Sequence, residues 1–182
     1  MQHARQDAFG DDLDAGRRGD FALAANPVSD RLTNALAALC RERALLLFVA
    51  GNEALARDVG AQGLHAPAAM AARLKEKPRG LMLSVACHSS GELKEAARLE
   101  ADCAFLSPAF ETASHPDGAY LGPARFKALA QDATVPVLAL GGVTPANAGQ
   151  LSAPAVIGFG AIDAFIEGAL ENGAEQQAPA ST

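Results

Sequence analysis

Two short apolar runs in this chain end in loops rich in small, hydroxyl-bearing and imidazole side chains. The first run ends at Leu106 and is followed by Pro108, Thr112, Ser114 and His115; the second ends at Leu140 and is followed by Gly141, Gly142 and Thr144. A βα unit presents a ligand site in this way, at the C-terminal end of a parallel strand. Without side chains, Gly141 and Gly142 let backbone N–H groups approach a phosphate closely, and a following helix N-terminus adds its positive dipole end. Their purely structural use would be a turn that needs positive φ. Thr112 and Ser114 can contact a ligand or cap turns. A third strand-end loop follows Leu81–Val85, with Ser84 in the strand and His88 just beyond it. His88 reads more readily as a loop or capping residue than as a ligand contact.

The elements that carry these loops alternate. Apolar runs at about 21–25, 44–50, 63–65, 81–85, 103–106, 135–140 and 156–159 read as seven strands, separated by helical patterns. The helical stretches are Leu32–Leu39 with Ser29 or Asp30 as N-cap, Glu53–Val59, Met70–Glu76, Glu92–Glu100 capped by Ser89 or Ser90, Pro123–Asp132, Ala146–Leu151 and a closing Ile162–Leu170. The strands are continuous apolar runs rather than alternating patterns, which predicts a parallel sheet buried on both faces in an α/β fold. No GxGxxG follows the first of these strands, so a shortened TIM-type (β/α) barrel, incomplete or lacking the barrel's first strand, fits better than a dinucleotide-binding sheet. We expect a flexible leader over 1–20, the barrel domain over 21–170 and a disordered tail over 171–182. The seam left by a missing strand would be covered by the leader or by a second subunit, as in a homodimer.

With 182 residues, 49% hydrophobic and 20% charged, the chain has globular composition and length for one domain. A formal net charge of −6 argues against nucleic acid or an anionic membrane surface as partners. Cys40, Cys87 and Cys103 are scattered without CxxC spacing, which reads as ordinary buried thiols in a reducing compartment. No apolar run reaches membrane-span length and no secretory h-region is visible, so the expected location is cytoplasmic.

The stretches SVACHSSGELKEAARLEADCAFLSPAFETASHPDGAYLG, VPVLALGGVTPAN and VIGFGAIDAF, in that order, resemble the thiamine phosphate synthase/TenI superfamily. Upstream, ALLLFVAGNEALARDVGAQGLHAP resembles the family's segment leading to G-A-D-G-V-H-L-G. The resemblance implies a TIM barrel and an activity in thiamine biosynthesis: a transferase joins hydroxymethylpyrimidine pyrophosphate to thiazole phosphate. Pyrophosphate leaves first, with Mg²⁺, and the thiazole nitrogen captures the pyrimidine carbocation. The alternative is a noncatalytic TenI-like binder of thiazole phosphate or thiamine phosphate.

By the same resemblance, Gly141 and Gly142 hold the thiazole phosphate together with Gly160, which stands where the family has a serine. Thr112 and Ser114 match the two hydroxyl residues of the family's loop, and His115 matches its lysine, a catalytic position. Histidine is only partly charged near neutral pH, so it would neutralise a leaving group less well. Ser84 matches a serine that contacts the pyrimidine and is the second catalytic candidate. Glu111 resembles TenI rather than the synthases, and Pro108 stands where TenI has its tautomerase histidine. Upstream, Ala22, Ala24 and Asn26 occupy the positions of the cationic pyrophosphate strand. Ala54 and Met70 stand where the Mg²⁺ aspartates are expected, with Asn52 and Glu53 displaced nearby; no metal ligands are assigned. Glu53 reads as an acid in the first turn of a helix, and His65 as a buried strand residue. The expected partner is a small-molecule phosphate ligand.

Overall fold

The computed structural model of the chain describes residues 21–24, 30–112 and 119–160. Seven strands pair in strict chain order: β1 (Phe21–Ala24), β2 (Leu46–Ala50), β3 (Gly63–Ala66), β4 (Met82–Cys87), β5 (Cys103–Leu106), β6 (Val137–Leu140) and β7 (Val156–Gly160). Every pairing is parallel. A doubly wound sheet would reverse its order at a switch point. This one never reverses, so the described strands form an incomplete barrel wall. Among the described residues, β1 and β7 are not paired with each other.

Helices α1 (Asp30–Glu42), α2 (Glu53–Asp58), α3 (Ala68–Ala71), α4 (Ser90–Arg98) and α5 (Gly122–Gln131) lie between the strands, and a 3₁₀ turn (Ala148–Leu151) precedes β7. They pack on one face of the sheet. Leu47, Val49, Leu64, Leu83, Val85, Leu106 and Val137 are buried there with Ala37, Cys40, Leu93, Leu99 and Phe126 from the helical layer. Full burial of each large side chain is worth about 1.5–3 kcal/mol, so this layer is the main stabilising core. All three cysteines are free and buried. Burial pushes the Cys87 and Cys103 thiols up to about 12, as inert packing thiols require.

Local chemistry moved several predicted boundaries. The apolar run from Ala44 is not strand throughout. Ala44 has φ of 53° and Leu45 donates to the Cys40 carbonyl, so these two residues close α1. β4 runs two residues beyond Val85, because Cys87 still pairs with Leu106. A helix over Met70–Glu76 does not form. The helix starts earlier, at Ala68, and stops at Ala71, because Arg98 draws the Leu74 and Lys75 carbonyls out to its guanidinium at 2.5 and 2.9 Å and Lys77 precedes a proline. The Ala146–Leu151 helix shrinks to a 3₁₀ turn, since the Thr144 carbonyl takes both the Asn147 and Ala148 N–H groups. Ser89 rather than Ser90 caps α4, accepting from Glu92 N–H. The expected leader, the tail, the Ser29 cap, Asn26 and the closing helix over Ile162–Leu170 lie outside the described residues.

Candidate functional site

The loops after β5 and β6 meet at the C-terminal rim of the sheet. Ala109 N–H donates to Leu140 O at 2.8 Å and Phe110 N–H donates to Gly141 O at 3.0 Å. Gly141 and Gly142 both have positive φ, 90° and 62°. A Cβ on Gly141 would lie 2.9 Å from Pro108 Cα and 3.3 Å from the Thr112 methyl, and one on Gly142 would strike the Glu111 carbonyl oxygen. The turn and the close approach therefore both require glycine. The pair still leaves donors over: Gly142 N–H and Val143 N–H have no acceptor among the described residues.

Asn147 fixes this turn. Its side-chain oxygen accepts from Thr144 N–H at 2.7 Å, and its amide nitrogen donates to Gly142 O at 2.9 Å. Reading the sequence did not assign Asn147 a role. The available signal was an asparagine three residues after a threonine in a turn, the spacing at which short polar side chains bond to backbone. Thr112 lies beside Gly141, and Gly160 pairs with Leu140 at the end of β7. Thr112, Gly141, Gly142 and Gly160 are thus gathered on three neighbouring strand ends. Ser114 and His115 lie outside the described residues.

Ser84 sits apart from that rim. Strand register puts Ala50, His65, Ser84 and Cys103 in one row across β2 to β5, on the concave face opposite the helices. His65 Nδ1 lies 2.9 Å from Ser84 Oγ, and the Phe105 ring meets the imidazole edge to face at 5.5 Å. Phe48 fills the space over Gly63, where a Cβ would collide with its ring. His65 is buried as expected, and burial pulls its pKa down to about 4, so it is neutral at pH 7. His88 stands at the rim, exposed. Its ring nitrogen Nδ1 lies 2.8 Å from the Ser107 carbonyl, and its backbone N–H donates to Glu92 at 2.6 Å.

The family model described as thiamine monophosphate synthase matches residues 27–165. The chain belongs to the thiamine monophosphate synthase family. Within it, the chain is 34% identical over 137 residues to the thiamine-phosphate synthase of Laribacter hongkongensis, covering 72% of this chain and 64% of that protein. It is 38% identical over 133 residues to that of Bordetella pertussis, covering 65% and 59%. The chain thus spans about three fifths of the length of these curated relatives. Among solved structures, thiamine phosphate pyrophosphorylase from Pyrococcus furiosus superposes with a TM-score of 0.63 at 22% identity, over 79% of this chain and 73% of that one. That likeness bears on the fold, which is barrel-type.

Thiamine monophosphate synthase family membership raises the question of Mg²⁺. Ala54 lies in α2 and Met70 in α3, and neither offers an oxygen ligand. The neighbouring polar groups are engaged: Glu53 holds Arg57 at 2.7 Å, and Asn52 caps α2 by accepting from Leu55 N–H. Among the described residues no three His, Cys, Asp or Glu side chains could together hold a metal ion. These residues do not fit a protein-held Mg²⁺ of the family kind. No helix among the described residues is long and apolar enough to cross a membrane.

Proposed function

We propose that this chain is a thiamine phosphate synthase-type protein whose retained half is the one that takes thiazole phosphate. The observation that carries this reading is the interlocked rim of β5 and β6, where Gly142 and Val143 N–H groups have no acceptor among the described residues and the adjoining Gly141 lies against Thr112. Backbone donors fixed in a turn that a Cβ cannot enter suit a phosphate oxygen. The full activity would join that ligand to hydroxymethylpyrimidine pyrophosphate and release pyrophosphate. By the resemblance, Ser114 and His115 and, at the end of β7, Gly160 are the further candidates for ligand contact. The test is product formation: purified chain, both substrates and Mg²⁺, followed for thiamine phosphate. Turnover that His115→Ala abolishes supports the synthase.

A second reading is favoured by a specific feature. β1 carries Ala22 and Ala24 where the family carries its cations, and Ala54 and Met70 replace the aspartates. A pyrophosphate leaving group needs its charge neutralised. On this reading the chain binds thiazole phosphate or thiamine phosphate without catalysis. Thermal stabilisation by thiamine phosphate and none by Mg²⁺-pyrophosphate supports the binder. Equal, Mg²⁺-dependent stabilisation by pyrophosphate overturns it.

A further inference from the structure

We propose that His88 is a general acid at the mouth of the barrel wall, which protonates the departing pyrophosphate in place of the family's cations and Mg²⁺. The inference rests on the synthase reading for the identity of the leaving group. Its own evidence is where the imidazole stands and how it is held. Ser84, Ala86 and His88 alternate along β4 and its end, so they share the concave side. β4 pairs with β5 up to Cys87 and Leu106, and Ser107 N–H donates to the Cys87 carbonyl at 2.9 Å, which carries the ladder one residue further. β5 pairs in turn with β6 through Leu106 and Ala139, and β6 with β7 through Leu140 and Gly160. One row therefore runs through His88, Ser107, Leu140 and Gly160, and Leu140 leads directly into the Gly141-Gly142 turn. His88 is the ionisable side chain of that row.

Two contacts hold this exposed residue. Its backbone N–H donates to the Glu92 carboxylate, and its Nδ1 lies 2.8 Å from the Ser107 carbonyl oxygen. Ser89 is the cap of α4, so capping does not account for the imidazole. A carbonyl oxygen only accepts, so Nδ1 carries the hydrogen of that bond whether the ring is neutral or charged. The Ser107 hydroxyl is farther away, at 3.4 Å, and a bare Nδ1 would set two lone pairs against each other. Among the described residues nothing pairs with Nε2. Nε2 can thus give up a proton and take one back with the anchor intact, as a general acid must. In the step, the bond from the pyrimidine methylene carbon to the pyrophosphate oxygen breaks and its electron pair stays on that oxygen. The Nε2 proton passes to the same oxygen, and the ring is left neutral with its hydrogen on Nδ1. Water restores the Nε2 proton, since His88 is exposed. The positive ring meets charge that Ala22, Ala24, Ala54 and Met70 cannot.

The test is long-range ¹H–¹⁵N correlation on the full chain labelled at histidine, with His88 assigned through His88→Gln, beside calorimetric titration of pyrophosphate without Mg²⁺. The expected spectrum keeps a hydrogen on His88 Nδ1 throughout, and the Nε2 signal moves when pyrophosphate is added. Pyrophosphate should bind without Mg²⁺, and His88→Gln should weaken that binding about tenfold, the loss of one hydrogen bond. A purely structural His88 would leave the Nε2 signal unmoved by pyrophosphate, which overturns the proposal. A neutral Nε2–H tautomer overturns it too, as does pyrophosphate binding that requires Mg²⁺. Titration with thiamine phosphate separates this failure from that of the proposed function. Binding of thiamine phosphate with no response to pyrophosphate removes the general acid and leaves the phosphate site standing; binding of neither removes both. The spectra are read on the wild-type chain without turnover, so they decide the role of His88 even if the variant fails to fold.

Discussion

The carbonyl oxygen of Glu111 occupies the space that a Cβ on Gly142 would need. One contact thus ties the loop after β5 to the turn after β6, while the Gly142 and Val143 N–H groups have no acceptor among the described residues. Gly142→Ala would meet both that carbonyl and a φ of 62°. We expect a loss of about 2–4 kcal/mol in denaturant unfolding, from strain plus displacement of the β5 loop. Stabilisation by thiamine phosphate should vanish with it. A variant as stable as the parent would show that the loops are not interlocked in solution.

Asn147 gives a cleaner separation of binding from folding. Asn147→Ala removes the bonds to Thr144 N–H and Gly142 O from a partly buried site. The expected cost is about 1 kcal/mol in stability. The effect on phosphate affinity should be larger, because the turn that aims Gly142 N–H is freed. Calorimetric titration with thiamine phosphate is the measurement, and unchanged affinity would count against the rim as the phosphate site.

His65 makes stability depend on pH in a defined direction. Its folded pKa, about 4, lies below the ordinary value of 6.5, so the unfolded chain takes up the proton first. Its contribution is fully present above about pH 6.5 and is lost as pH falls towards 4. At about 1.4 kcal/mol per unit, that loss is about 3 kcal/mol. Carboxylates titrate in the same window, so the comparison is with His65→Phe, whose stability should fall less steeply between pH 6.5 and 4. Parallel curves for the two proteins would mean that His65 is not held neutral.

Asp102 is a structural fastening of the sheet rather than part of the site. Its carboxylate accepts from Leu83 N–H at 2.7 Å and from Lys77 at 2.6 Å, joining the start of β5 to β4 and to the turn before it. Asp102→Ala should cost about 1–3 kcal/mol, mostly from the unpaired Leu83 amide. Asp102→Asn should recover about half, since an amide oxygen still accepts. Ligand affinity should be unchanged in both, as measured by the same titration.

The sequence by itself determined the fold class and the location of the phosphate-side loops. Runs such as Leu46–Ala50 and Cys103–Leu106 are apolar at every position, which only a strand covered on one side by helices and on the other by barrel interior tolerates. Gly141-Gly142 after such a run marks a close approach because no other residue removes the Cβ. Tertiary structure decided what those patterns leave open. Met70–Glu76 has helical composition, yet Arg98, more than 20 residues away, draws its carbonyls outward. The role of Asn147 depends on the Gly142 carbonyl turning towards it, and the pairing of His65 with Ser84 on the register of β3 against β4. The Arg98 and His65 contacts join residues about 20 apart, a separation that carries no local signal. Periodicity reports which face a residue shares; only the packed sheet reports which side chain it meets there.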